Sequence, residues 1–303
     1  MNRRTFLKGT ASLSTLAGVS AILPVPLAAQ GSTSATNDRL HVAVNQYTAN
    51  SFFRREEKNF WDELATLKSC GIDGFEAMAG SAADVENVSK RLKDAGLEMR
   101  SLYIGGNLYE EAHADNGVKR ILEIAEKAQE FGTKFLIFNP DAKKGKSDAE
   151  LVLQAKKADE LGAKLRAMGV VLSFHYHTTE LEFGAREFHH LLCNTDPANF
   201  TLCMEQHWSY RGCGNSQVAL FDHLKLYASR VTTAHLRQSV GDVWSEWYGE
   251  GDIDSKRLAA ELKKLPKLPH IVLEQAAEGG TPNTMTAAEV FQKSIAYIRE
   301  IFA

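Results

Sequence analysis

The sequence predicts a single (β/α)₈ barrel, also called a TIM barrel, on three observations. Helical stretches end in Gly71, Gly96, Gly132 and Gly169 and run directly into apolar segments, at intervals of 25, 36 and 37 residues. Such intervals match one strand together with the helix that covers it. Eight apolar runs can be read as strands, and the last four are followed by acidic or histidine side chains.

Between the apolar runs lie segments with the spacing of amphipathic helices. An open, doubly wound sheet is the competing fold, but it usually carries a Gly-rich phosphate turn after its first strand. Here the first strand leads into Asn-Gln-Tyr-Thr at residues 45–48, and the pair Gly105-Gly106 lacks the full fingerprint. The eight predicted strands are residues 40–46, 73–78, 97–103, 133–139, 170–176, 200–205, 231–236 and 270–275.

The first thirty residues read as an export signal. Arg3 and Arg4 precede a short apolar run that closes near Ala29, a pattern that resembles a twin-arginine signal peptide. A permanent membrane anchor is the alternative, but Thr, Ser and Gly interrupt the run. We expect residues 1–30 to be a twin-arginine signal peptide, residues 31–38 a disordered lead-in and residues 39–303 the barrel, with export to the periplasm.

Charge, hydropathy and cysteine content argue against several kinds of partner and site. The formal net charge is −3 and no Lys/Arg block follows residue 8, which argues against nucleic acid as a partner. No segment after the signal is apolar enough for a stable membrane span. The four cysteines match no zinc pattern, and Cys193 with Cys213 is a candidate disulfide in an exported protein. The sequence is also compatible with a homo-oligomer.

Ionisable side chains follow each of the last four predicted strands. Glu205, His235 and Glu274 follow strands six, seven and eight, while Glu180 and Glu182 both follow strand five, and spacing does not separate them. In barrels the site lies at this end of the strands. Carboxylates converging there would repel each other without a cation, so a metal site is expected. The alternatives without a metal are an ion pair between Glu205 and Arg237 and a structural role for His235 in the core. Three oxygen ligands and one imidazole favour Mn²⁺, Mg²⁺ or Co²⁺, with Zn²⁺ as a further candidate.

Four segments resemble motifs of the xylose isomerase-like sugar isomerase/epimerase superfamily. They are His-Tyr-His-Thr-Thr-Glu at residues 175–180, His-Leu-Arg at 235–237, Gly-Glu-Gly-Asp-Ile-Asp at 249–254 and Ile-Val-Leu-Glu-Gln at 271–275. By position the resemblance implies four metal ligands, and it favours Glu180 over Glu182. Two departures are Glu205, where the family usually has Asp, and Tyr176, where it has Asn. The implied ligands are Glu180, Glu205, His235 and Glu274.

The resemblance also implies a divalent-metal-dependent isomerase or epimerase that transfers a proton through an enediolate on a keto sugar or polyol derivative. Glu180 and Glu274 would take and return the proton. A small carbohydrate would be the substrate, with Trp244 and Trp247 as further aromatic side chains that could stack on a sugar ring. The candidate substrate-binding residues are His177, Arg237, His207 and Trp208.

Three other functions remain open from the sequence. The same enediolate could expel a leaving group, which would make the protein a lyase or dehydratase acting on a keto-glycoside or inosose. The superfamily also includes metal-dependent endonucleases, but these usually have more ligands and a basic surface, and the acidic balance argues against that activity. A sugar-binding protein without activity is less favoured, because candidate ligands follow all four strands.

Overall fold

The structure, a computed structural model, describes residues 39–303. Residues 40–303 form one compact unit. The signal peptide and lead-in predicted for residues 1–38 lie outside the described residues. Among the described residues, no helix combines the length and the apolar character needed to cross a membrane.

Eight parallel strands close into a barrel, with helices between successive strands, which confirms the predicted fold. Pairing runs in chain order around the barrel, and the last strand closes it by pairing with the first, Val42 beside Ile271. The barrel strands are β1 Val42–Asn45, β2 Gly74–Met78, β3 Ser101–Gly106, β4 Phe135–Pro140, β5 Val171–Phe174, β6 Phe200–Glu205, β7 Val231–Leu236 and β10 His270–Leu273. A short antiparallel hairpin follows β7 and consists of β8 Ser239–Val240 and β9 Val243–Trp244.

The helices surround the barrel and pack their apolar faces against it. Side-chain caps start several of them. Ser147 and Thr286 form capping boxes at α5 (Asp148–Ala167) and α10 (Ala287–Phe302). Helix α6 (Thr178–Cys193) is interrupted where Phe183, Gly184 and Ala185 adopt positive φ angles of 54°, 71° and 59°. The helices are α1 Gln46–Phe53, α2 Leu64–Ser69, α3 Ala82–Asp94, α4 Glu111–Gln129, α5 Asp148–Ala167, α6 Thr178–Cys193, α7 Gln206–Arg211, α8 Gln217–Tyr227, α9 Ser255–Lys263 and α10 Ala287–Phe302.

The third strand differs most from its predicted position. Its expected range was residues 97–103, but β3 begins at Ser101 and stays paired with β4 through Gly106. Residues 97–100 instead form the connection from α3, where one isolated bridge joins Glu98 to Gly74. The buried side chains of Leu97 and Met99 explain the apolar run that suggested a strand.

The cysteines do not pair. All four are free thiols, so the disulfide suggested for Cys193 and Cys213 is not formed. Cys193 is exposed on the last turn of α6, where its sulfur lies 3.8 Å from the hydroxyl of Tyr227. Cys203 is buried in β6, as expected for a thiol inside an apolar strand.

Candidate metal centre and its cavity

Four buried side chains meet at the carboxyl ends of β5, β6, β7 and β10. One ligand atom from each of His175, Glu205, His235 and Glu274 lies within 4.8 Å of every other. Oε1 of Glu205 is 3.1 Å from Nε2 of His175 and 3.1 Å from Nδ1 of His235. Oε1 of Glu274 is 3.4 Å and 3.5 Å from the same two nitrogens.

Strand periodicity places these side chains on the inner face of the barrel. Ser173 on β5 contacts Thr233 on β7 at 2.9 Å, although β6 lies between the two strands, so both side chains point into the barrel. Residues two apart in a strand face the same side. His175 follows Ser173 by two residues and His235 follows Thr233 by two, so both imidazoles also point inward.

The donor set fits a divalent cation. Nε2 of His175 and Nδ1 of His235 are buried, and neither has a hydrogen-bond partner with suitable geometry among the described residues. Four ligands held tetrahedrally at about 2.1 Å from an ion would lie about 3.4 Å apart, close to the nitrogen–oxygen separations here. Two imidazoles and two carboxylates favour Zn²⁺, Co²⁺ or Mn²⁺ over Mg²⁺, which prefers oxygen ligands.

A second layer of polar contacts orients both imidazoles. Nε2 of His235 lies 3.1 Å from Oε1 of Glu76, a fully buried carboxylate on β2 that also accepts a hydrogen bond from Nδ2 of Asn45 at 2.7 Å. Nδ1 of His175 is 3.3 Å from Oδ1 of Asn139 on β4. In each ring one nitrogen therefore has a polar partner, while the other faces the two ligand carboxylates.

Arg237 holds the carboxylate of Glu274. Its Nε donates to the main-chain oxygen of Glu274 at 2.8 Å, and a terminal nitrogen lies 3.1 Å from Oε2. The guanidinium also stacks over Trp244 at 4.1 Å and Trp208 at 5.2 Å from the ring centroids. These contacts leave Oε1 of Glu274 facing the two imidazoles.

Burial and neighbouring charges act in opposite directions on the two carboxylates of the site. Burial opposes ionisation of Glu274, but Arg237 and His235 outweigh burial and hold its pKa well below the usual range. Burial raises the pKa of Glu205 to about 7, although His235 acts in the opposite direction. Two carboxylates this close resist carrying two charges together, and a divalent cation would remove that penalty.

The structure does not bring Glu180 into this group. Glu180 lies in the first turn of α6, and its Oε2 accepts a hydrogen bond from the main-chain nitrogen of His177 at 2.7 Å. The side chain is buried and turned back onto its own turn, and burial raises its pKa to about 7. Glu182 lies 3.4 Å from Lys144. His175 therefore takes the position at the end of β5 where the sequence suggested Glu180.

A cavity of about 400 Å³ opens onto Glu274. Three of the four expected substrate-binding residues, His177, Trp208 and Arg237, line it. His207 does not; it is buried behind Trp208 and Trp244, with ring centroids 5.8 Å and 6.0 Å away. The lining residues are Asn45, Tyr47, Met78, Tyr103, His177, Trp208, Arg237, Trp244 and Glu274.

Four of the nine lining residues were not candidates from the sequence: Asn45, Tyr47, Met78 and Tyr103. Tyr103 on β3 packs edge-on against His175, with ring centroids 5.0 Å apart. Tyr47 lies two residues after β1, and Met78 is the last residue of β2. Neither is an acidic or histidine side chain, the types that stand at the ends of the last four barrel strands. Trp247 is not part of the wall and packs against Tyr297 on α10. The only available signal for Tyr103 was its position at the end of an apolar run.

A family model for the xylose isomerase-like TIM barrel matches residues 64–301. The chain belongs to this family. The match covers more than half of the chain, including all four side chains of the candidate metal centre. No curated protein sequence matches the chain.

Several solved structures have the same fold at low sequence identity. An L-ribulose 3-epimerase is 16% identical with a TM-score of 0.65, covering 87% of this chain and 94% of its own. A 3-keto-D-glucoside 4-epimerase from E. coli is 17% identical with a TM-score of 0.64, covering 86% and 99%. A probable 3-DHS dehydratase from Bacillus anthracis is 12% identical with a TM-score of 0.64, covering 86% and 98%. At these identities the likeness establishes the fold.

Proposed function

We propose that this protein is a divalent-metal-dependent isomerase or epimerase that moves a proton at a carbon next to a carbonyl of a keto sugar or polyol derivative. One observation carries the proposal: Glu274 belongs to the candidate metal centre, is held by Arg237, and lines the cavity. The carboxylate of Glu274 can therefore act as a base next to both the cation site and the substrate cavity. The two epimerases of similar fold act on sugars, which agrees with this reaction class.

His175, Glu205, His235 and Glu274 would hold the ion. When bound, a divalent ion would act as a Lewis acid that stabilises negative charge on the substrate oxygens as the proton leaves. In this proposal Glu180 is not a ligand, because its carboxylate is directed to the main chain of His177. The predicted roles of the other three residues are retained.

Glu274 would accept the proton and return it, or one exchanged with solvent, to the enediolate. It is the one carboxylate among the lining residues, and the low pKa imposed by Arg237 and His235 against the effect of burial keeps it ionised at neutral pH. Its Oε2 is paired with Arg237, and the same guanidinium fixes the main chain at Glu274. A base held by two such contacts is oriented before the substrate binds.

His177 and Tyr103 would bind substrate oxygens from the facing side of the cavity. The ring of His177 lies between His175 and Trp208, with centroid distances of 4.7 Å and 5.1 Å. Both residues line the cavity and carry groups that can donate hydrogen bonds. Trp208 and Trp244 provide flat walls for a sugar ring. The export predicted for residues 1–30 favours unphosphorylated sugars.

A lyase or dehydratase is the second candidate function. Loss of the same proton also precedes expulsion of a group from the next carbon, and a solved structure of similar fold is described as a probable dehydratase. Both outcomes need the same base and the same cation. The identity of the product distinguishes them.

The test is solvent exchange. The metal-loaded protein is incubated in D₂O with free ketoses, keto-glycosides and inososes, and products are read by NMR. Deuterium at a carbon next to the carbonyl supports the proposal, and loss of a substituent with a new double bond supports the lyase. Glu274→Gln should abolish exchange, whereas Glu250→Gln, an exposed carboxylate paired with Lys256, should not. Absence of exchange with every substrate contradicts both functions.

A further inference from the structure

The outer end of the cavity is apolar and open to solvent. Tyr47 and Met78 line it, and 46% and 44% of their surfaces are exposed. They lie at the carboxyl ends of β1 and β2, whereas the candidate metal ligands lie at those of β5, β6, β7 and β10. An apolar surface that continues into a binding cavity usually marks a contact with a ligand. We call Tyr47 and Met78 the rim.

Two hydrogen bonds hold the rim in place. Oδ1 of Asn45 accepts from the main-chain nitrogen of Tyr47 at 2.7 Å, and Oε1 of Gln46 accepts from that of Met78 at 3.0 Å. The second bond links the ends of β1 and β2 directly. A surface that is ordered before binding requires less ordering when a ligand arrives.

No lining side chain carries an unpaired positive charge. Arg237 is the one cationic side chain among the lining residues, and it is paired with Glu274, so their formal charges cancel. Its remaining terminal nitrogen is buried and suits a neutral acceptor such as a sugar hydroxyl. A phosphate group usually requires arginine or lysine that is free to pair with it. The lining therefore favours a neutral ligand.

From these contacts we infer that the substrate is a neutral sugar derivative whose planar or apolar substituent packs on Tyr47 and Met78. The sugar ring would lie deeper, between Trp208, Trp244 and Glu274. A tyrosine ring and a methionine side chain suit an aromatic or other flat substituent, since both give large apolar contacts with adaptable geometry. The assignment rests on the proposed function, because that function defines which end holds the reacting carbons.

Binding by two simple glucosides tests the rim. Phenyl β-D-glucopyranoside and methyl β-D-glucopyranoside differ only in the substituent, and their Kd values for the metal-loaded protein can be measured by titration calorimetry. We expect the phenyl compound to bind about tenfold more tightly. Tyr47→Ala and Met78→Ala should each remove most of that difference. Leu226→Ala, which truncates an exposed leucine on α8 outside the cavity, should leave it unchanged.

Other results would overturn the inference. If the phenyl glucoside binds no more tightly than the methyl glucoside, or if the two rim variants keep the full difference, the rim does not bind the substituent. Tighter binding of glucose 6-phosphate than of the methyl glucoside would overturn the assignment of a neutral substrate. Neither glucoside has a carbonyl, so neither has a carbon-bound proton that the proposed reaction could exchange. Binding thus tests the rim, and exchange in D₂O separately tests the proposed function.

Discussion

Glu76 and His235 contact each other inside the barrel, with Nε2 of His235 3.1 Å from Oε1 of Glu76. Both side chains are fully buried, and Asn45 donates to the same carboxylate oxygen at 2.7 Å. The contact fixes the ring so that Nδ1 faces Glu205 and Glu274. A carboxylate that binds the outer nitrogen of a histidine ligand orients the ring and increases its basicity.

Replacing Glu76 should therefore weaken metal binding. We expect Glu76→Gln to reduce the affinity for Zn²⁺ or Co²⁺ by about 10- to 100-fold, measured by competition with a chelator. The absorption spectrum of the Co²⁺ form should also change, because the His235 ring would lose its fixed orientation. Glu187→Gln serves as control, since Glu187 is also buried but pairs with Lys146 and contacts none of the four side chains. Equal effects in the two variants would contradict a specific role for Glu76.

Lysine in place of Arg237 should not support full activity. Its guanidinium makes two contacts with Glu274 and stacks on Trp244, and a lysine ammonium cannot reproduce that planar arrangement. We expect Arg237→Lys to lower kcat by about ten- to a hundredfold, because the base is no longer held. Arg211→Lys is the matched control, since Arg211 pairs with Glu278 and does not line the cavity. A wild-type kcat in Arg237→Lys would remove Arg237 from the positioning of Glu274.

The stability of the fold should depend on pH through Glu180. Burial raises its pKa from 4.5 to about 7, so between these values the folded state binds more protons than the unfolded chain. Ionisation then costs stability as the pH rises, and the cost is complete above about pH 7. Glu180→Gln cannot ionise, and it should gain up to about 3 kcal/mol relative to wild type between pH 4.5 and 8. A melting-temperature difference that stays constant with pH would contradict this expectation.

Much of the architecture could be predicted from the sequence because glycine-terminated helices and apolar strands are local patterns. Glu205, His235 and Glu274 stand directly at strand ends, so their convergence also followed from the fold. The motif match favours Glu180 for this strand and does not indicate His175, which lies five residues earlier. Alternation along β5 would have identified His175, since it faces the same side as Ser173.

The remaining features depend on contacts that no local pattern contains. Glu76 reaches His235 across 159 residues of sequence, and its role becomes visible only when β2 and β7 face each other. Similarly, Tyr47 and Met78 form the rim because one hydrogen bond joins the ends of β1 and β2. The sequence also could not predict that Glu180 caps its own helix. A glutamate can either bind a cation or accept a hydrogen bond from a main-chain N–H, and only the structure distinguishes the two.

The central claim is that His175, Glu205, His235 and Glu274 together hold the ion that supports proton transfer. The most direct measurement is the number of metal ions per chain, determined by mass spectrometry after equilibration with Zn²⁺, Co²⁺ or Mn²⁺ and removal of free ion. We predict one ion per chain in the wild type and in Glu180→Gln, and loss of the ion in His175→Ala. A wild-type protein without metal, or a His175→Ala variant that keeps the ion while Glu180→Gln loses it, would contradict the claim.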